Sequence, residues 1–322
     1  MAESTLQKLT RNFTGAVIPP FQRESLLRLF PSERIGDEGV KTWAKRILKK
    51  LGEAKMQAAG GDWMPGEDKF DITSIDIVPF DVQKRVTMNR SEVRVFERNG
   101  VMPVGFDELG SVRAKKANQL LFTGKDATKG DQYNKTNNQY VTKVTPTSTD
   151  YTDPTIIDGA TNGVWDTAGK VQLDAADLCG NLERYGYNVA TSVLFYPEVC
   201  APIMRRPAIN GTGIYSDRPL LETFMDQGIM GSVAVKDSYL LTAAATLPTV
   251  EDFDIYLIDL SQILIGYTIP ENTEVIYDAY SKNTALDAQI AFTPLFLPRE
   301  FDDANGYVYK GVSRINSIDA NT

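Results

Sequence analysis

Apolar positions along the chain switch between helical and strand periods, and the switches outline a mixed α+β chain. Residues 1–35 hold Pro19-Pro20, Pro31 and scattered apolar residues. They read as an extended arm with at most one or two helical turns near Glu24 to Phe30. The clearest helical period lies over 37–55. There Val40, Trp43, Ala44, Ile47, Leu48 and Leu51 recur on one side, Asp37 serves as N-cap, and Lys41, Lys45, Arg46, Lys49 and Lys50 fall largely on the other side. Residues 58–66 are loop chemistry. Phe70, Ile72, Ile75, Ile77 and Val82 predict strands interrupted at Pro79, and 91–98 predicts a short helix. A second helix is predicted over 106–122, with Leu109, Val112, Ala117 and Leu120 on one face and Gly124 closing it. Residues 125–150 are polar and aperiodic, a surface excursion. After Trp165 the pattern predicts a helix over 171–185 stopped by Gly186, an apolar strand over 191–196, a short helix over 198–204 and a strand over 232–236. The last third predicts strands at 253–258, 262–268, 274–277, 288–292 and 306–309.

Length refines this picture. The chain has 322 residues, above the roughly 250–300 at which single cores stop growing, so one large core with a subsidiary lobe, or two domains, is expected. The longest apolar runs fall far short of the roughly 20 residues that span a membrane. The first residues lack an apolar signal core, so neither a membrane nor export is expected. Histidine is absent, which removes Ser-His-Asp and Cys-His nucleophiles and His-ligated zinc or iron. No cofactor and no catalytic residue is therefore assigned. Cys179 and Cys200 lie in apolar segments and read as buried free thiols, with a disulfide as the alternative. Net charge is −8, yet residues 1–57 alone carry +5. A basic segment on an acidic body permits one surface facing a polyanion; a solvated helix face is the simpler explanation.

The stretch from Asn162 to Leu241 carries a resemblance. Asn162-Gly-Val-Trp165 leads into a helix; an apolar strand ends at Tyr196-Pro197-Glu198; a Gly- and Pro-rich loop follows; a return strand comes after Gly228. Upstream, Ile77-Val-Pro-Phe80, the segment 92–100 ending in Asn99-Gly100, and a helix ending Leu120-Leu-Phe-Thr-Gly124 fall in the same order. This order resembles tailed-phage major capsid proteins of the Hong Kong 97 (HK97-like) fold, which encapsulins share. The resemblance implies an α+β fold with a spine helix, divided into an N-terminal arm (1–35), a helix leading to the extended loop (36–54), the extended loop (55–76), a peripheral domain (77–196 and 275–322) and an axial domain (197–274). It implies self-assembly through pentamers and hexamers into an icosahedral shell around double-stranded DNA. Scaffold, portal and decoration proteins would be partners, and the virion capsid, after assembly in host cytoplasm, its location.

Candidate residues follow from chemistry and position. Trp63 and Met64 are large apolar residues in a loop, either tucked in or laid on a neighbour. Together with Lys69 and Phe70 they are candidate assembly contacts in the extended loop. Arg205, Arg206 and Tyr215 are candidates around the axial symmetry axes. Lys41, Lys45, Lys49 and Lys50 are candidates for facing DNA. Asp252 and Asp254, two apart on a strand, could hold a hard cation or be solvated turn residues. Two other classes stand beside the viral shell: an encapsulin-type nanocompartment, and a cytosolic enzyme working through paired carboxylates.

Overall fold

The computed structural model describes residues 5–36, 43–48, 72–77, 79–99, 108–123, 125–126, 130–131, 155–158, 165, 170–209, 215–240, 246–278, 283–296, 300–302, 306–308 and 311–320. In chain order its elements are α1 (Thr5–Glu24), β1 (Ser32–Arg34), β2 (Trp43–Leu48), β3 (Ile72–Ile77), β4 (Phe80–Met88), α2 (Arg90–Asn99), α3 (Glu108–Thr123), β5 (Lys125–Asp126), β6 (Gly130–Asp131), β7 (Thr155–Asp158), α4 (Lys170–Arg184), β8 (Ser192–Pro197), α5 (Ala201–Met204), β9 (Pro207–Ile209), β10 (Tyr215–Pro219), α6 (Leu220–Met225), β11 (Gly231–Val235), β12 (Phe253–Asp259), β13 (Ile263–Asp278), β14 (Asn283–Phe296), β15 (Glu300–Asp302), β16 (Gly306–Val308) and β17 (Val312–Ile318).

Two sheets carry the architecture, one in the order β1-β13-β14-β4 and the other β11-β8-β12-β17-β7. In the second, every residue of β8 and β12 is buried. A strand covered on both faces is apolar continuously rather than alternately, and the Val-Leu-Phe-Tyr run of β8 is such a strand. Leu194 and Tyr196 join α4, through Val171, Ala175, Leu178 and Leu182, in one buried cluster. Val193 and Phe195 point the other way, to a cluster with Ala117, Leu121 and Phe122 of α3. The Phe122 and Phe195 rings meet edge-on at 5.3 Å. The same cluster continues into the first sheet through Phe80, Val82, Ile290 and Phe292, so α3 is the spine between the two sheets.

The first sheet is dominated by the antiparallel β13–β14 hairpin, paired from Ile263↔Phe296 to Asp278↔Asn283. Its register shifts around Ile269, next to Pro270, where a missing N–H interrupts the ladder. β4 extends the sheet beyond β14 and β1 runs parallel to β13. Ile35, just past β1, packs on Gly266, where a Cβ would come within 2.7 Å of its Cδ1.

Residues 5–24 depart from the expected extended arm. They form a 20-residue helix that contains Pro19 and Pro20. Each interior proline costs a helix about 3 kcal/mol, and tertiary burial outweighs that cost. Leu9, Phe13, Val17 and Phe21 recur at four-residue intervals and are almost wholly buried, worth about 1.5–3 kcal/mol each. Leu9, Phe13 and Val17 cluster with Met88, Phe96, Leu109 and Leu286. The end of α1 is tied down by Asn118, whose Nδ2 donates to the Glu24 carbonyl and whose Oδ1 accepts from the Leu26 N–H, both at 2.9 Å.

The helix expected over 37–55 is also corrected. Residues 43–48 are a strand, β2, paired antiparallel with β3 from Trp43↔Ile77 to Leu48↔Ile72; 37–42 and 49–55 lie outside the described residues. The helical period in this window was real, but Ile72-Thr-Ser-Ile-Asp-Ile77 is a β-branched run that requires a partner strand. That partner lies beyond any local window.

Candidate functional site: assembly surfaces

The two candidate arginines of the axial region sit on a turn built by short-range hydrogen bonds. After Pro197 a single 3₁₀ turn leads into α5, and the Val199 N–H is held by Asp237 Oδ1 at 2.9 Å. Arg206 N–H closes α5 on the Ile203 carbonyl at 2.9 Å, and the Arg206 carbonyl accepts from Leu220 N–H at 2.7 Å. Arg205 and Arg206 are both exposed there. The turn opens the β9–β10 hairpin, where Tyr215 pairs with Ile209 and Pro219 with Pro207. The fold thus brings Arg205, Arg206 and Tyr215 to one hairpin at the start of α6.

The other candidates divide differently. Trp63, Met64, Lys69 and Phe70 lie outside the described residues, between the paired strands β2 and β3. Lys41, Lys49 and Lys50 also lie outside them. Lys45 is on β2, opposite Ile75, so the helical lysine face expected over Lys41–Lys50 is not formed at Lys45.

Neither expectation for Asp252 and Asp254 holds for the second residue. Asp254 is wholly buried on β12 and paired with the equally buried Arg314 of β17. Its Oδ1 also accepts from the Ser317 N–H at 2.9 Å. Ser317 takes φ 52° to make that bond, a left-handed conformation rare for a non-glycine. Burial pushes the Asp254 carboxyl upward against the opposing pull of Arg314. Asp259 is a second wholly buried carboxylate, satisfied by the Asn188 and Ser261 N–H groups and the Thr191 and Ser261 hydroxyls. Among the described residues no cluster of carboxylates and thiols could hold a metal.

A second buried pair was not anticipated. Arg113 of α3, 1% exposed, pairs with Glu271 of β13 and lies 4.9 Å from the centroid of the Phe21 ring of α1. Its Nε and Nη1 have no hydrogen-bond partner. Burial pushes the Glu271 carboxyl up to about 7, only partly offset by Arg113. Glu271 lines a cleft of about 580 Å³ together with Phe21, Arg28, Tyr267 and Ile290. Nothing in the local pattern marks either residue, since an Arg on a helix and a Glu beside a proline both read as surface.

Cys179 and Cys200 are free and buried, as expected. Burial raises the Cys179 thiol to about 11 and moves Cys200 further in the same direction, so neither is a reactive thiolate. No described helix is long and apolar enough to cross a membrane.

A buried N-terminal helix, a spine helix between two sheets and a long β-hairpin make up the α+β, HK97-like capsid fold. The chain is similar to the capsid of Myoviridae Phage XM1, with TM-score 0.57 and 14% identity over 91% of each chain. It matches a chain of Mycobacterium phage Cain with TM-score 0.57 and 13% identity, over 92% of this chain and 90% of that one. A virus-like particle from Pyrococcus furiosus matches with TM-score 0.54 and 11% identity, over 94% and 98%. No known sequence family and no curated protein sequence matches, so the likeness is one of fold.

Proposed function

We propose that this chain is the major capsid subunit of a tailed virus or prophage and self-assembles into an icosahedral shell enclosing double-stranded DNA. The observation that carries this reading is likeness to a phage capsid chain and to a virus-like particle chain along at least nine-tenths of both partners. Function then resides in interfaces. Each subunit contributes several modest contacts, and closure of the shell means that losing one subunit breaks all of its contacts together. In this reading 77–196 and 275–322 form the peripheral domain, and 197–274 the axial domain, whose β9–β10 hairpin meets its copies in pentamers and hexamers. Residues 55–76 reach over a neighbour, so Trp63, Met64, Lys69 and Phe70 contact it. Scaffold, portal and decoration proteins are further partners, and no catalytic role is assigned.

The Pyrococcus particle matches over nearly its whole length, which favours an encapsulin-type nanocompartment as the second reading. Negative-stain electron microscopy of the purified chain tests both. Closed particles or rings of five or six are expected, with DNA or a co-purifying protein inside separating virus from compartment. A chain that stays monomeric at high concentration, with or without a co-expressed scaffold, would reject the shell.

A further inference from the structure

Lys45, the described member of the lysine face expected to meet DNA, lies on a strand, yet another basic face is helical. Helix α2 reads Arg-Ser-Glu-Val-Arg-Val-Phe-Glu-Arg-Asn, with Arg90, Arg94 and Arg98 four residues apart. Four residues advance about 40° beyond a full turn, so the three side chains share one face, about 6 Å apart along the axis. That face is set by the packing of the helix. Phe96, 3% exposed, anchors the opposite side in the cluster with Leu9, Phe13 and Leu286. All three arginines are exposed. Among the described residues none of their side chains has an ion pair or hydrogen bond.

The acids of α2 do not neutralise the stripe. Glu92 is turned back to the helix start, where its Oε2 accepts the Asn89 N–H at 2.8 Å while Asn89 Oδ1 accepts the Glu92 N–H at 3.0 Å. This reciprocal cap occupies the carboxylate. Glu97 projects between the Arg90 and Val93 directions, at the border of the stripe. The arrangement works against the helix. Like charges four apart repel, and Arg90 sits at the positive end of the helix dipole, where a cation is unfavourable. A partner bearing a row of negative charges removes both penalties. Arginine is suited to that role because its planar fork binds phosphate oxygens in pairs. The stripe is cationic on a chain whose net charge is −8.

We propose that the Arg90–Arg94–Arg98 face of α2 is a sequence-independent docking surface for the phosphate backbone of double-stranded DNA. The choice of DNA as the polyanion rests on the shell reading; the geometry of the stripe does not. Contact of this kind positions a duplex without reading its bases, which suits a subunit that must hold any packaged sequence.

The test uses the full chain, unassembled, and a fluorescent random-sequence duplex, with anisotropy followed from low to high salt. Wild type should bind weakly at low salt with a steep salt dependence. The triple variant Arg90→Gln, Arg94→Gln, Arg98→Gln should bind at least about tenfold more weakly. Its slope of log K against log salt should be shallower by about 2.7, the release of three phosphate counterions. The charge-keeping triple Arg90→Lys, Arg94→Lys, Arg98→Lys controls for folding and should retain the wild-type slope. An unchanged slope in the Gln variant, no binding by wild type, or equal loss in the Lys variant overturns the proposal. So does a Gln variant that fails to form particles while binding DNA normally, which would make this face a contact between copies. Particle formation is read separately by microscopy, so failure of the shell reading and failure of this inference give different results.

Discussion

Glu271 shows how much one buried residue can hide. Its carboxyl titrates near 7 because burial opposes its charge more strongly than Arg113 favours it. A carboxyl whose folded pKa lies above its unfolded value holds its proton longer in the fold. Its stabilising contribution is therefore complete below pH about 4.5 and is lost as pH rises toward 7, up to about 3 kcal/mol. Glu271→Gln keeps the shape and removes the titration. The difference in unfolding free energy between wild type and this variant should change between pH 4.5 and 7 and be constant above about 7.5; a constant difference throughout would rule out the titration. The pair escaped sequence reading because Arg113 and Glu271 are 158 residues apart, and each looks like an ordinary surface charge until the other covers it. Asp254 is the same case, legible as a strand residue but not as the partner of Arg314.

Elements were legible to the extent that their apolar period is self-contained. The spine helix and α4 appear within two residues of their expected bounds, and β8 as the continuous run that two-sided burial requires. β17 was missed: buried Val312 and Ile315 are separated by the equally buried Ser313 and Arg314, which masks the period. α1 was missed because its two prolines are strong local breakers while its compensation is tertiary. The crossing of α1 over α3 gives a direct handle on that compensation. At Gly110 a Cβ would lie 2.2 Å from the Val17 carbonyl and 2.9 Å from the Phe21 nitrogen, both backbone atoms. Gly110→Ala should therefore push α1 off the spine, lowering stability by about 1–3 kcal/mol and opening α1 to limited proteolysis. Wild-type urea midpoint and cleavage pattern would show that the two helices do not depend on this close approach.

For the whole molecule, Arg205 and Arg206 are exposed while the ion pairs Asp254–Arg314 and Arg113–Glu271 are buried, so assembly and folding can be separated. Arg205→Glu with Arg206→Glu alters two exposed side chains on the turn before β9, where a monomer loses little, on the order of 0.5 kcal/mol. In a closed shell the same reversal repeats at every axis. The double variant is expected to keep its thermal midpoint within a few degrees and to lose rings and particles in size-exclusion chromatography and microscopy. Normal particles would remove these residues from the interface. Order of elements, absence of histidine and the α+β class were readable from the chain, because propensity, turn chemistry and apolar period act over a few neighbouring residues. Three things were readable only in the folded molecule: that 43–48 is a strand, that a helix runs through Pro19-Pro20, and that the charged pairs Asp254–Arg314 and Arg113–Glu271 are buried. Each is a contest between local preferences of a few kcal/mol and contacts with distant residues worth as much or more, and the distant partner settles it.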